Sequence, residues 1–166
     1  MIVLIGFMGA GKTTVGRILA RELLMPFVDS DQVIEDTEGL SVADIFEGYG
    51  EAGFRRVEAE TILQLLAGPE VVLALGGGAL GNAEVREGLA GHRVVLLDVA
   101  LTEALERVAS DPARPMLHKP NLSDLYDSRQ HAYREAADVV VSVSGRPPRE
   151  VAADVLTALG EVGVGE

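Results

Sequence analysis

The chain has 166 residues and a net charge of −12 at neutral pH, from 14 basic and 26 acidic residues. Its length fits one domain that buries a sizeable core, and an apolar fraction of 48% predicts a globular fold. So negative a surface repels nucleic acids and anionic lipids. The chain has no cysteine, which excludes disulfides and thiolate zinc sites, and we expect a cytoplasmic protein.

The first predicted element is a strand over Ile2–Ile5 that leads into a glycine-rich loop. Residues 6–14 read GFMGAGKTT and match the pattern G-x-x-x-x-G-K-[ST]. Such a loop points backbone N–H groups at phosphate oxygens, Lys12 reaches the outer phosphates, and the Thr13 hydroxyl is placed to ligate Mg²⁺. An amphipathic helical pattern follows directly, with apolar residues at Val15, Ile18, Leu19 and Leu23. The sequence therefore predicts a nucleoside triphosphate site.

Further short apolar runs alternate with helical patterns along the chain. The runs are continuous and rich in β-branched residues, which is typical of a parallel sheet covered on both faces. They cover Ile2–Ile5, Pro26–Val28, Val71–Leu75, Arg93–Leu97 and Asp138–Val143. None approaches the ~20 residues of a membrane span, and the apolar start has no basic leader, so we expect neither a membrane segment nor a signal peptide. We predict one α/β domain over residues 1–166, with its ligands beyond the C-terminal ends of the strands.

Two carboxylates, Asp29 and Asp31, follow the second predicted strand. One could hold magnesium through water, while the other could accept a hydrogen bond from a substrate hydroxyl. The structural alternative is that Ser30 or Asp31 only caps the next helix.

Two adjacent arginines, Arg55 and Arg56, begin another helical pattern. Neighbours on a helix point in different directions, so one could serve the site while the other pairs with a surface carboxylate such as Glu60. Spacing alone leaves the choice open.

Two features follow the third and fourth predicted strands. Gly76–Gly78 indicates either a close approach to the backbone or a tight turn. Asp98 superficially fits a metal-holding aspartate, but we interpret it as organising the turn before a helix that begins near Thr102.

The stretch from Ser110 to Asp124 loses the apolar period and carries three of the seven prolines. A structureless connection of this length in a small domain is more often functional than accidental. We interpret it as a lid that excludes water and delivers Arg114 to the transferring phosphoryl group, with a mobile surface loop as the alternative.

Taken together, these segments resemble the shikimate kinase family over nearly the whole chain. The matching segments are GFMGAGKTT at 6–14, Asp29-Ser30-Asp31, GFRRVE at 53–58, Gly76–Gly78, ARPML at 113–117 and Arg129 ahead of Tyr133. The resemblance implies a P-loop kinase with a five-stranded parallel sheet flanked by helices, a lid over about 110–124 and a small shikimate-binding subdomain over about 31–60. It also implies transfer of the γ-phosphoryl group of ATP to the 3-hydroxyl of shikimate, with Mg²⁺.

The resemblance assigns roles to individual residues. Lys12, Asp31 and Arg114 would be catalytic, and Thr13 and Asp29 would hold the metal. ATP would be bound by Gly9, Ala10, Gly11, Lys12, Thr13, Thr14, Arg107, Arg114 and Arg146. Shikimate would be bound by Asp31, Phe46, Phe54, Arg55, Gly76, Gly77, Gly78 and Arg129.

Two alternatives share the phosphate loop. Another small-molecule kinase, such as a gluconate kinase, would have less need for two arginines beside Asp31. An inactive nucleotide-binding regulatory module would lack Lys12, Asp31 or the lid arginine, and all three are present. We expect a monomer, because no long exposed apolar stripe predicts an interface.

Overall fold

A sheet of five parallel strands forms the centre of the structure, a computed structural model that describes residues 1–109 and 121–163. The strands are β1 (Ile2–Ile5), β2 (Phe27–Asp29), β3 (Val72–Ala74), β4 (Arg93–Asp98) and β5 (Val139–Ser142). Their order across the sheet is β2-β3-β1-β4-β5, and every neighbouring pair is parallel. The five predicted strands are confirmed, with ends that differ by about one residue.

Helices connect the strands and flank the sheet. They are α1 (Lys12–Glu22), α2 (Ser30–Glu38), α3 (Val42–Leu66), α4 (Ala83–Gly88), α5 (Leu101–Ala109), α6 (Leu122–Ala136) and α7 (Pro148–Gly163), with a short 3₁₀ turn at Ala79–Gly81. Over residues 1–109 and 121–163, none of these helices combines the length and apolarity needed to cross a membrane. Residues 110–120 of the predicted lid, with Arg114, lie outside the described residues, and the remaining lid residues belong to the start of α6.

The inner strands account for the continuous apolar runs in the sequence. Every residue of β1 and β3 is buried, as are the four central residues of β4. The edge strand β5 differs, because buried Val139 and Val141 alternate with exposed Val140 and Ser142. A continuous run of valines therefore did not mean burial on both faces at this edge.

The segment over α2 and the first half of α3 has a small apolar cluster of its own. Ile34, Ile45 and Phe54 are buried there, and Val42, Phe46 and Val57 pack against them. The helix α3 is kinked at Gly50, where φ is 72° and ψ is 177°. Such a positive φ favours glycine, and residues 42–66 are therefore two helical segments that meet at Gly50.

Gly16 lets α1 approach β2 closely, which brings the first helix down onto the sheet. A methyl group on Gly16 would lie 2.4 Å from Cε2 of Phe27 and 3.1 Å from Cδ1 of Leu4. The close approach of α1 to β2 therefore depends on the missing side chain.

We predict that Gly16→Ala lowers the free energy of unfolding by about 1–3 kcal/mol, because Phe27 must leave its position. Gly48→Ala is the matched control, since a methyl group on Gly48 would meet nothing within 4 Å. That substitution should be neutral or stabilise the protein by up to about 1 kcal/mol through helix propensity. Urea unfolding of both variants checks this, and equal stabilities would contradict the packing argument.

Candidate active site

A cleft of about 830 Å³ is lined by residues that follow β1, β2 and β3. These three strands are neighbours in the sheet, so their C-terminal ends open into one space. Of the predicted site residues within the described ranges, all except Arg146 line this cleft. The topology therefore gathers residues from distant parts of the sequence into one site.

The glycine-rich loop after β1 forms one end of the cleft. Gly9 and Gly11 have φ of 81° and 88°, values that favour glycine, and Gly11 precedes α1 without a side-chain cap. The first N–H groups of a helix have no partner within it, so this end of α1 is suited to donate to phosphate oxygens. Lys12 Nζ donates to the main-chain oxygens of Gly6 and Phe7, which holds the ammonium group across the loop.

Asp29 joins the phosphate loop to the start of α2. Its Oδ1 accepts from the backbone N–H groups of Asp31 at 2.9 Å and Gln32 at 3.3 Å, while its Oδ2 accepts from the Thr13 hydroxyl at 3.1 Å. The helix cap is therefore Asp29, and not Ser30 or Asp31 as the alternative interpretation held. One carboxylate caps the helix and still turns an oxygen toward the loop.

The Thr13–Asp29 pair fits a magnesium ion. Both side chains offer oxygen, which Mg²⁺ prefers, and the cap fixes the carboxylate in direction. In the described part of the chain, no group of three or more histidine or carboxylate side chains could hold a metal. Mg²⁺ often uses only one or two protein carboxylates together with substrate phosphates and water, so this pair is a sufficient protein contribution.

The Gly76–Gly78 turn after β3 packs against charged side chains at each of its three residues. A methyl group on Gly76 would lie 2.9 Å from Oδ1 of Asp31, one on Gly77 would lie 3.1 Å from Nη1 of Arg129, and one on Gly78 would lie 2.4 Å from Nη2 of Arg55. The 3₁₀ turn begins here, with Ala79 N–H donating to Gly76 O at 3.1 Å. Both interpretations of the glycines are therefore correct, since the turn is tight and side chains approach its backbone.

Arg55, and not Arg56, points into the cleft. Its Nη1 donates to Oε1 of Glu58 at 2.7 Å, and Glu58 is only 3% exposed, whereas Arg56 is exposed. Burial raises the pKa of the Glu58 carboxyl, although Arg55 partly opposes that shift. Sequence reasoning considered Glu60 as a partner and missed Glu58, which the three-residue spacing from Arg55 could have indicated.

Arg129 comes from α6 and approaches the middle residue of the glycine turn, Gly77. Its guanidinium lies over the ring of Phe7, 5.8 Å from the centroid, and burial lowers its pKa. An arginine stays charged even so, because its ordinary pKa lies far above neutrality. Arg55 and Arg129 thus place two cationic side chains at neighbouring glycines of one turn.

Two phenylalanines form an apolar wall beside Arg55. The rings of Phe46 and Phe54 stack with centroids 4.5 Å apart, and the Arg55 guanidinium lies 5.3 Å from the Phe54 centroid. A ligand in this part of the cleft would meet an apolar surface next to cationic groups.

Arg107 and Arg146, which the resemblance assigns to ATP, lie in different places. Arg107 lines the cleft, and its Nη1 donates to Gly9 O at 2.9 Å. Arg146 instead donates to Ser142 O at 2.9 Å and pairs with Asp154 of α7, outside the cleft lining. The structure therefore does not bring Arg146 into the cleft lining, because Asp154 of α7 binds its guanidinium, and its contact with ATP stays a prediction.

Asp98 takes no part in the cleft. Its Oδ2 accepts from Nη2 of Arg134 at 2.9 Å, and the turn before α5 is supported by Ser144, whose Oγ accepts from Ala100 N–H. The carboxylate after β4 therefore binds α6, and the carboxylate beside Thr13 is that of Asp29.

Known proteins resemble this chain in sequence and in fold. The family model for shikimate kinase matches residues 8–160. Shikimate kinase of Pseudomonas syringae pv. syringae (strain B728a) is 45% identical over 166 residues, covering 97% of this chain and 96% of that protein. Among solved structures, shikimate kinase from Acinetobacter baumannii in complex with shikimate has a TM-score of 0.93 at 39% identity, covering 96% of this chain and 92% of that one. The enzyme from Aquifex aeolicus has a TM-score of 0.88 at 37% identity, with 99% of both chains covered.

We predict that the stability of Glu58→Gln relative to the native protein depends on pH. The folded state raises the pKa of Glu58 above its ordinary value of 4.5, so the folded protein binds that proton more tightly than the unfolded chain. The stabilising effect of protonation is present below the unfolded pKa and is lost as pH rises through the folded pKa. The native protein should therefore lose stability relative to the Gln variant between about pH 4 and about pH 7.

Urea unfolding at both pH values measures this difference. Glu60→Gln, which removes an exposed carboxylate from the same helix, is the matched control for the loss of one charge. A native protein that gains stability relative to Glu58→Gln over this range would show that pairing with Arg55 outweighs burial.

Proposed function

We propose that this chain, which belongs to the shikimate kinase family, transfers the γ-phosphoryl group of ATP to the 3-hydroxyl of shikimate, giving shikimate 3-phosphate and ADP. The observation that carries the proposal is the convergence of Asp31, Arg55 and Arg129 on one glycine turn, in the same cleft as the phosphate loop. An acceptor that is a hydroxylated carboxylic acid needs a carboxylate such as Asp31 to bind its hydroxyl. It also needs cationic groups such as Arg55 and Arg129 to bind its own carboxylate.

The nucleotide half of the site follows from the loop after β1. The start of α1 and the loop backbone bind the phosphates, and Lys12 leaves its loop carbonyls to reach the outer ones. Thr13 and Asp29 would hold Mg²⁺, which, when bound, neutralises charge on the phosphates. Arg107, which already donates to Gly9 O, would bind ATP beside the loop.

The acceptor half uses the residues around the glycine turn. Arg55 and Arg129 bind the shikimate carboxylate with charge-assisted hydrogen bonds, and Glu58 keeps Arg55 in position. The stacked Phe46 and Phe54 lie against the ring. Binding of the shikimate carboxylate by the two arginines then fixes which face of shikimate turns toward the phosphate loop.

Asp31 receives the hydroxyl that reacts. The hydroxyl oxygen attacks the γ-phosphorus, the bond from that phosphorus to the β–γ bridging oxygen breaks, and ADP leaves. The hydroxyl proton passes to the Asp31 carboxylate. Since phosphoryl transfer requires little covalent chemistry from the protein, alignment and charge neutralisation supply most of the rate. Arg114 stays the predicted cation of the lid, outside the described residues.

The remaining expectations stay predictions from the sequence. These are a cytoplasmic location, a monomeric state, and no association with nucleic acid or membrane. Gluconate is also a hydroxylated carboxylic acid, so family membership, and not the charges of the cleft, favours shikimate over gluconate as the acceptor.

The test is release of ADP from Mg-ATP with shikimate, with gluconate or with no acceptor, followed by mass spectrometry of the product. We expect shikimate-dependent turnover and a product heavier by one phosphoryl group. Turnover with gluconate alone would overturn the proposed acceptor, and ATP binding without turnover on either acceptor would revive the regulatory alternative.

We predict that Asp31→Asn lowers kcat by about 10²–10⁴-fold, because the amide cannot take the hydroxyl proton. Affinity for ATP should stay within about twofold, because Asp31 binds the acceptor and not the nucleotide. Asp36→Asn, an exposed change on the same helix, is the control and should keep normal turnover. Steady-state kinetics and ATP titration check both variants, and an active Asp31→Asn enzyme would remove this carboxylate from the reaction.

We predict that Arg129→Ala raises the KM for shikimate by about 10–100-fold, the effect of losing hydrogen bonds to a charged group. The KM for ATP should change far less. Arg134→Ala removes an exposed arginine from the same helix, where it pairs with Asp98, and serves as the control. Equal effects of Arg129→Ala on both substrates would show that Arg129 does not bind the acceptor.

A further inference from the structure

Tyr133 is a buried polar residue next to the acceptor half of the site that the proposed reaction does not use. It lies on α6 and is only 2% exposed. Its hydroxyl donates to the main-chain oxygen of Gly77, across 56 positions of sequence. A phenol that is enclosed to this extent needs a hydrogen-bond partner, and the partner here is the central residue of the glycine turn.

Arg129 lies beside the same hydroxyl, one helical turn earlier. Residues four apart lie on one face of a helix, and a methyl group on Gly77 would meet both side chains, Arg129 Nη1 at 3.1 Å and the Tyr133 hydroxyl oxygen at 3.6 Å. A hydroxyl has one proton to donate, and that of Tyr133 goes to the main-chain oxygen of Gly77.

Burial keeps this arrangement intact across the working pH range. It raises the pKa of Tyr133 to about 12, and Arg129 only partly opposes that shift. The hydroxyl therefore keeps its proton near neutrality and remains a donor to Gly77.

Gly77 is the point where three parts of the site meet. A methyl group there would lie 3.1 Å from Nη1 of Arg129, 3.6 Å from the Tyr133 hydroxyl oxygen and 3.6 Å from the backbone nitrogen of Met8. A shift of Gly77 would move its neighbours Gly76 and Gly78, against which Asp31 and Arg55 pack. The turn can hold the acceptor residues only while its own position is fixed.

We propose that Tyr133 is a positioning residue for acceptor binding, because its hydroxyl fixes the glycine turn against which the Arg129 guanidinium packs. This inference rests on the proposed function, because the acceptor is the molecule whose binding it governs. It concerns shikimate binding and not the nucleotide, since the hydroxyl contacts no residue of Lys12–Thr14 among its described hydrogen bonds.

Tyr126 on the same helix supplies a matched control. Its hydroxyl donates to Val99 O at 2.7 Å, so it also ties α6 to a main-chain carbonyl near a strand end. It lies seven residues before Tyr133, two helical turns away on the same face. Tyr126→Phe therefore removes one hydrogen bond of the same kind from the same helix without touching Gly77 or Arg129.

The experiment compares Tyr133→Phe with Tyr126→Phe by steady-state kinetics and by calorimetric titration of shikimate without nucleotide. We expect Tyr133→Phe to raise the KM and Kd for shikimate about tenfold, the effect of one buried hydrogen bond, with the KM for ATP within about twofold. Tyr126→Phe should leave both KM values within about twofold. Thermal unfolding of both variants shows whether either substitution also lowers the Tm of the protein.

An unchanged KM for shikimate in Tyr133→Phe, or equal increases for shikimate and ATP, would overturn the inference. So would an equal loss of shikimate affinity in Tyr126→Phe, because that would show a general effect of loosening α6. Shikimate phosphorylation by the native enzyme, measured in the same experiment, distinguishes failure of the positioning role from failure of the proposed function. If the native enzyme does not phosphorylate shikimate, the function is wrong, whereas a normal native enzyme with normal Tyr133→Phe kinetics defeats the positioning role alone.

Discussion

The packing of charged side chains against the Gly76–Gly78 turn is the constraint on which the acceptor site depends. Asp31, Arg129 and Arg55 each approach one of the three glycines so closely that a methyl group would meet them at 3.1 Å or less. Van der Waals exclusion at the turn thus sets where a carboxylate and two guanidinium groups can lie. Glu58 then holds Arg55 by a hydrogen bond, and Tyr133 holds the glycine turn by another, within a buried environment where such bonds fix direction strongly.

Sheet topology connects this turn to the phosphate loop. The order β2-β3-β1 places the ends of three strands side by side, although the corresponding loops are far apart in sequence. The β1 loop supplies phosphate-binding N–H groups, the β2 end supplies Asp29 and Asp31, and the β3 end supplies the glycines. Asp29 and Asp31 are two residues apart at the boundary, so one carboxylate faces Thr13 and the other faces the turn. Donor and acceptor of a phosphoryl group can therefore meet there.

The fold was largely predictable because its signals are local, whereas the site depended on choices that local spacing leaves open. The phosphate loop has fixed spacing, and the buried strands have apolar runs that need no tertiary information. Choosing Arg55 over Arg56 required knowing which face of α3 meets the glycine turn. The contact of Arg146 with Asp154 was not predicted, because Asp154 lies on α7, eight residues further along the chain. The cap at Asp29 shows the same limit, since capping and metal binding use the same residue types.

The decisive measurement is a crystal structure of the protein with shikimate and Mg-ADP. We expect the shikimate carboxylate within hydrogen-bond distance of both Arg55 and Arg129, and one ring hydroxyl on Asp31 facing the phosphate loop. A carboxylate bound elsewhere, or a ring turned so that no hydroxyl reaches Asp31, would contradict it.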